Sequence, residues 1–462
     1  MKNFFLLWGL TFGMALSDVI SAAEVVGNVR FVSGGLMAQR VDGTAKVMGA
    51  KADVQLGDML VTASDSYAQV VMNDGTKMIL RPNSNLKIEG YQFNQQDPKS
   101  DSAIFRLLKG GFRTVTGLIG KRGNPDAYKL RSSGATIGIR GTDFTSRLCG
   151  ATDCLDEALK TPAKKITPAP KAVGRVMQIQ GEMSATDVSG KVRKLTLGSP
   201  VFEGDTLQAA VQSNGVVMFR DGGRITLQQN SDFVVEAFKY DKNNVGQDNI
   251  ALRLLKGGVR VVTGLIGHVN HDNYKFRLSG ATIGIRGTGF DAWCNGPCAD
   301  GSANFGATQE NPLAGAGVFV WSGEVALMSA KGSVNVSVNQ AAIISRETGN
   351  AVQVNSLPDS IKNNPVPKPD SVSGDAESTF EEVPRNGEAG VYVSVHEGQV
   401  ILENGGSRLD LGQNESGFTD GAVTTRLSDT PQFLLRDNKL DQIGKSSMFN
   451  SGINSNGCLV AP

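Results

Sequence analysis

The chain repeats itself, and that fact limits its folding more than any other. Leu107–Lys121 (LLKGGFRTVTGLIGK) returns as Leu254–His268 (LLKGGVRVVTGLIGH), an offset of 147 residues. Ser133–Phe144 (SGATIGIRGTDF) returns as Ser279–Phe290 (SGATIGIRGTGF), an offset of 146. Shorter landmarks keep the spacing further upstream: Gly57-Asp58 with Gly204-Asp205, Asp74-Gly75 with Asp221-Gly222, and Asn83-Ser84 with Asn230-Ser231. Residues of about 26–149 and 173–294 are therefore two copies of one long module and must share one fold. A shorter module also occurs twice, at Ala316–Ser345 and Ala389–Phe418, each copy opening Ala-Gly-Val. The order along the chain is long, long, short, short.

Within each long copy an Asp-Gly pair stands between two apolar, β-branched runs (AQVVMNDGTKMIL and GVVMFRDGGRITL), the strongest short-range hairpin signal. The runs NLKIEGYQF and DFVVEAFKY alternate with period two, as half-buried strands do. Helical periodicity is confined to a short stretch at Leu155–Lys160. Glycine contributes 56 of 462 residues without a Gly-X-Y period, which excludes collagen and fits many tight turns. The pattern predicts an all-β protein of sandwich, barrel or solenoid type.

The combination of Gly-Asp, Asp-Gly, Asn-Ser, LLKGG-x-R-x-VTGLIG and ATIGIRGT-x-F resembles the FecR periplasmic domain over most of both long modules, and the short modules resemble the strands that close that domain. The resemblance implies two FecR-like, β-rich domains of imperfect solenoid or sandwich-like form. In the namesake proteins this domain is the periplasmic half of an inner-membrane regulator; it contacts the signalling domain of an outer-membrane receptor and relays the signal to a sigma factor. Neither an anti-sigma segment nor a transmembrane helix is recognisable in this sequence. The expectation carried over is an interaction or sensing module rather than the whole circuit.

Two long and two short modules make two complete domains if one is nested in the other. The expected division is a signal peptide at 1–23, a first long module at 24–155, a linker at 156–171 and a complete second domain at 172–357. A disordered linker at 358–387, a short module at 388–435 that closes the first domain and a flexible tail at 436–462 follow. The Pro- and Lys-rich stretch 161–171 and the Pro-, Ser- and acid-rich stretch 358–386 read as solvated hinges of the insertion. A long insertion adds little closure entropy, about 0.6 kcal/mol per doubling of loop length.

The first residues read as an export signal. Lys2 precedes the apolar run Phe4–Leu16, and Ser21-Ala22-Ala23 supplies small residues for cleavage after Ala23. Its 13 residues fall short of the roughly 20 that span a bilayer. No later segment is long and apolar enough to span a membrane. The expected location is periplasmic or secreted, an oxidising space where Cys149 with Cys154 and Cys294 with Cys298 read as two local disulfides. Cys458 is left over, free or intermolecular. With 46 Lys+Arg against 45 Asp+Glu the chain lacks the basic balance of a general nucleic-acid binder.

Candidate chemistry is sparse. Arg140 and Arg286 sit in the apolar ATIGIRGT runs, where a buried guanidinium needs a partner. Asp74 and Asp221 are the expected carboxylates, with Asp58 and Asp205 the alternatives; a ligand-binding role for the arginines stays open. His268 and His271 are too few to anchor a metal centre, and Gly444-Lys445-Ser446 lacks the upstream glycine of a phosphate loop. No cofactor, metal site or catalytic pair is expected. The reading is an exported, non-enzymatic envelope module that binds a protein partner. Alternatives are a secreted structural or glycan-binding protein and, last, a cryptic periplasmic hydrolase.

Overall fold

In each long module one strand carries two layers. We describe a computed structural model covering residues 24–435 apart from 123, 125, 161–168, 245–246 and 302–305. The expected signal peptide, Cys458, the tail from 436 and half of the first linker, 161–168, lie outside the described residues. Strand Ser102–Val115 in the first copy and Asn249–Val262 in the second turn at the Gly-Gly of LLKGG. Their first halves pair with Asn85–Gln92 and Ser231–Lys239 and, in parallel, with Tyr128–Ser132 and Tyr274–Leu278. Their second halves pair with Lys77–Leu80 and Arg224–Leu227.

The turn explains why two distant motifs recur together. Gly110 and Gly257 have φ of +72° and +82°, and a Cβ on either would lie 2.6 Å from the carbonyl of Asn83 or Asn230. The serine of each Asn-Ser then clips the bend. Ser84 Oγ accepts from Gly111 N (2.9 Å) and donates to Gly111 O (2.8 Å); Ser231 repeats both bonds on Gly258. A glycine bend of this kind lets one strand pass between packed layers.

The described residues form an all-β fold in two sheets. The second is built from residues 174–353, and its last long-module strands, Ala281–Ile285 and Gly289–Cys294, are closed by Glu324–Ser329 and Ala316–Ser322. The first sheet takes its closing strands from beyond the second. Ala135–Cys149 pairs antiparallel along its whole length with Gly390–Asn404, from Thr136 opposite Glu403 to Cys149 opposite Gly390. Ser416–Thr419 then pairs with Gly390–Asn404. The cores divide the same way: Val391, Val393, Val395, Val400 and Leu402 pack with Ile137, Ile139 and Phe144, whereas residues 173–344 form a separate buried cluster.

Both expected disulfides are formed, Cys149–Cys154 with a Cα separation of 5.6 Å and Cys294–Cys298 with 5.1 Å, inside the usual span. The first leads into helix Asp153–Lys160 and packs against Tyr392, Phe418 and Phe433. Replacing Cys149 and Cys154 by serine is expected to cost about 2 kcal/mol, the loop-closure entropy of so short a loop. Urea denaturation of the oxidised protein measures it.

The expected disordered linker at 358–387 is corrected by the structure. It lies as a strap along the second sheet. Ile361 and Phe380 are buried, and Arg224 donates to Val372 O (2.5 Å). Thr226 Oγ1 donates to Pro367 O (3.0 Å), and Arg260 donates to Asn364 O (3.2 Å). Composition misled here. Proline removes the segment's own ladder donors, but the arginines of the sheet satisfy its carbonyls and two apolar anchors hold it.

Candidate functional site

The two sheets meet where the turn after Leu195 lies against the bulge at Gly398. Thr196 hydrogen-bonds Gln399, whose Nε2 donates to Leu197 O (2.7 Å), and Lys191 pairs with Glu397 at 3.3 Å. Behind this contact three charges are buried together. Arg175 of the second sheet and Arg426 of the first both pair with Glu415; Arg175 Nη1 lies 3.2 Å from one carboxylate oxygen and Arg426 Nε 3.2 Å from the other. Arg175 also donates to Gly198 O (2.7 Å), and Arg426 to the carbonyls of Thr379 (3.0 Å) and Asp410 (2.8 Å). The strap joins in: Phe380 lies against the guanidinium groups of Arg175 and Arg220, and Glu382 pairs with Arg220 and Lys171. Burial works against ionisation of Glu415. Arg175 and Arg426 outweigh it and hold the carboxyl below its usual range.

In front of the junction opens a cleft of about 460 Å³, walled by both sheets. Its cations differ in how far they are already spent. Arg193 is tied to the buried Asp205 (2.9 Å) and Arg122 to Asp101 (3.4 Å). Lys191 and Lys194 make only exposed pairs, with Glu397 and Glu182. Lys121 and Arg140 form no ion pair among the described residues, and the Nε of Arg140 is buried without a hydrogen-bond partner. The cleft thus combines a surplus of positive charge with a half-buried guanidinium whose donors are not all used.

The expected ties of Arg140 and Arg286 to Asp74 and Asp221 are therefore corrected. Arg286 is exposed and Arg140 only half-buried, with no carboxylate partner for either among the described residues. Period two is the reason. Ala135, Ile137 and Ile139 point into the core, which puts Arg140 on the other face, and Ala281, Ile283 and Ile285 do the same for Arg286. The aspartates serve their own turns. Asp74 accepts from Thr76 N (3.0 Å), Thr76 Oγ1 (2.8 Å), Ile119 N (3.1 Å) and Tyr91 Oη (3.1 Å). Asp58 and Asp205 do carry buried arginine ties, but to Arg40 and Arg193. His271 Nδ1 lies 2.7 Å from Gly267 O, and no group of three or more metal-ligating side chains occurs among the described residues.

Asp221 differs from its counterpart. Gly223 and Phe238 stand where the first copy has Thr76 and Tyr91, so both hydroxyl donors are gone. Burial pushes its carboxyl up to about 6, against the N–H groups of Gly223 and Ile266. The unfolded group titrates near 3.9. Stability present below pH ~4 is thus lost as pH rises through about 6, by roughly 3 kcal/mol for a shift of this size. Asp221→Asn is expected to remove this pH dependence and to raise the melting temperature at pH 7. Thermal melts between pH 4 and 7 test it; parallel curves for the two proteins would contradict it.

Fold and junction describe a two-unit, all-β protein built twice on one module. The family model described as FecR protein matches residues 58–154 and 205–303, most of each long module. None of the curated proteins matches the chain. Among solved structures it is similar to a candidate anti-sigma factor from Parabacteroides distasonis. The likeness is 15% identity over 32% of this chain and 58% of that one, with a TM-score of 0.23. No helix among the described residues is long and apolar enough to cross a membrane.

Proposed function

We propose that the chain is an exported, non-enzymatic sensing module of the cell envelope, made of two FecR-like domains, one nested in the other. It binds a protein partner at the cleft between them. The FecR regions support the regulatory class. The strand pairing of Ala135–Cys149 with Gly390–Asn404 supports the nesting. The observation that carries the binding reading is Arg140, left half-buried and without a carboxylate in a cleft where Lys121 is also unpaired among the described residues. A guanidinium so placed recognises a carboxylate through paired N–H donors, so the partner presents an acidic side chain or chain terminus.

The test is crosslinking in intact periplasm, comparing the wild type with Lys121→Glu plus Arg140→Glu. The expected result is loss of one specific crosslinked species at unchanged melting temperature, with wild-type capture weakening as salt rises. A crosslinking pattern untouched by the charge reversal contradicts the reading. Export is checked separately: mass spectrometry of the stable product should find Glu24 as its first residue, and a retained Met1 speaks against it.

A further inference from the structure

The two copies use the same face of the module differently. In the first, the face beside the Gly-Gly bend is plugged. Arg81 donates to Phe433 O (3.0 Å) and Glu157 (2.8 Å), and Arg147 pairs with Glu157 (3.3 Å), which fastens helix Asp153–Lys160 over it. In the second copy the residue seven beyond the Asp-Gly aspartate is Gln228 instead of Arg81. Trp293 lies opposite Gly258 where Arg147 lies opposite Gly111. Both arginines that fasten the plug are gone.

What remains is an open groove of about 810 Å³, within the usual range for a small-ligand site. Carboxamides are the commonest side chains in its lining, among them Gln180, Gln228, Gln229, Asn230, Asn295 and Asn364. Its charged members leave it close to neutral: Asp291 is paired with Arg260 at 3.0 Å and accepts from Trp321 Nε1 (3.0 Å), so Lys256 alone stands without a tie among the described residues. No hydrogen bond within the described protein engages the side chains of Gln228 or Asn230, although Gln228 is half-buried. One wall is the strap, through Asn364 and the carbonyl-bonded run that follows it.

We infer that this groove is a binding site for an uncharged glycan. The free carboxamides of Gln228 and Asn230 each offer a donor and an acceptor side by side, which matches neighbouring sugar hydroxyls, and a nearly neutral lining gives a charged ligand little to pair with. An extended peptide is the competing occupant. It would need an open strand edge for main-chain pairing. The floor strands Arg224–Leu227, Asn249–Val262 and Gly289–Cys294 are each paired on both sides, so the floor has no edge to offer.

The experiment is calorimetric titration of the full mature chain with neutral hexasaccharides: the β-1,4-linked glucose and N-acetylglucosamine series and the α-1,4- and β-1,3-linked glucose series. At least one is expected to bind at micromolar to millimolar strength. Gln228→Ala plus Gln229→Ala should weaken that binding about tenfold or more with no change in melting temperature. Lys121→Glu plus Arg140→Glu should leave it unaltered. Absence of binding by every hexasaccharide at millimolar concentration overturns the inference. So does binding that the amide variant leaves intact.

Discussion

Glu415→Ala should unfold the junction between the two sheets, at a cost of about 3–5 kcal/mol. The alanine would leave Arg175 and Arg426 buried and facing each other with no anion between them. The charge cannot be shed at ordinary pH, and water reaches neither guanidinium freely. Glu415→Gln keeps the shape and one acceptor, so its loss should be smaller. Removing the exposed Lys191–Glu397 pair should change stability by less than about 1 kcal/mol, because both side chains remain solvated. Urea denaturation of the three proteins ranks them. Since the carboxyl of Glu415 is held below its usual range, its contribution is present at neutral pH and is lost as the pH falls through that lowered value. An alanine variant as stable as the wild type would show that the triad is not coupled to the fold.

Truncation after Asn386 should cost more still, since it removes the strands that close the first sheet. Val391, Val393, Val395, Val400 and Leu402 leave the core with them. At ~1.5–3 kcal/mol for each buried aliphatic side chain, their loss rivals the ~5–15 kcal/mol that holds a domain together. Ala135–Cys149 would also be left as a long open edge, an invitation to aggregate. The expected product binds hydrophobic dye, aggregates on warming and loses amide protection in residues 135–149, while residues 174–353 stay protected. Unchanged protection at Ile137, Ile139 and Phe144 would contradict this.

How much of this could be read from the chain alone depended on distance. The duplication exposed the modules, and the Asp-Gly hairpins, the two disulfides and the helix near Leu155 needed only local reasoning. The orientation of Arg140 and Arg286 is also legible, against the expected carboxylate ties: strict alternation from Ile137 and Ile139 already places the arginine on the outer face. The Glu415 triad was out of reach. Arg175 lies 240 residues from Glu415, and the first copy has Asn28 in its place, so no repeat points to it. The strap was hidden for another reason. Its proline-rich composition describes what the segment cannot do for itself, whereas its order comes from Arg224, Thr226 and Arg260 on the sheet beneath. The groove arises from a difference between the copies in space, where Gln228 and Trp293 replace Arg81 and Arg147.

In the proposed architecture one complete domain is inserted into the other. This insertion is tested most directly by producing residues 172–386 alone and following their unfolding in urea. The expected result is a single cooperative transition and a protected core at Phe233, Leu252, Phe276 and Phe290, as in the full chain. A fragment that stays unfolded, or that folds only when residues 24–160 are added back, would contradict it.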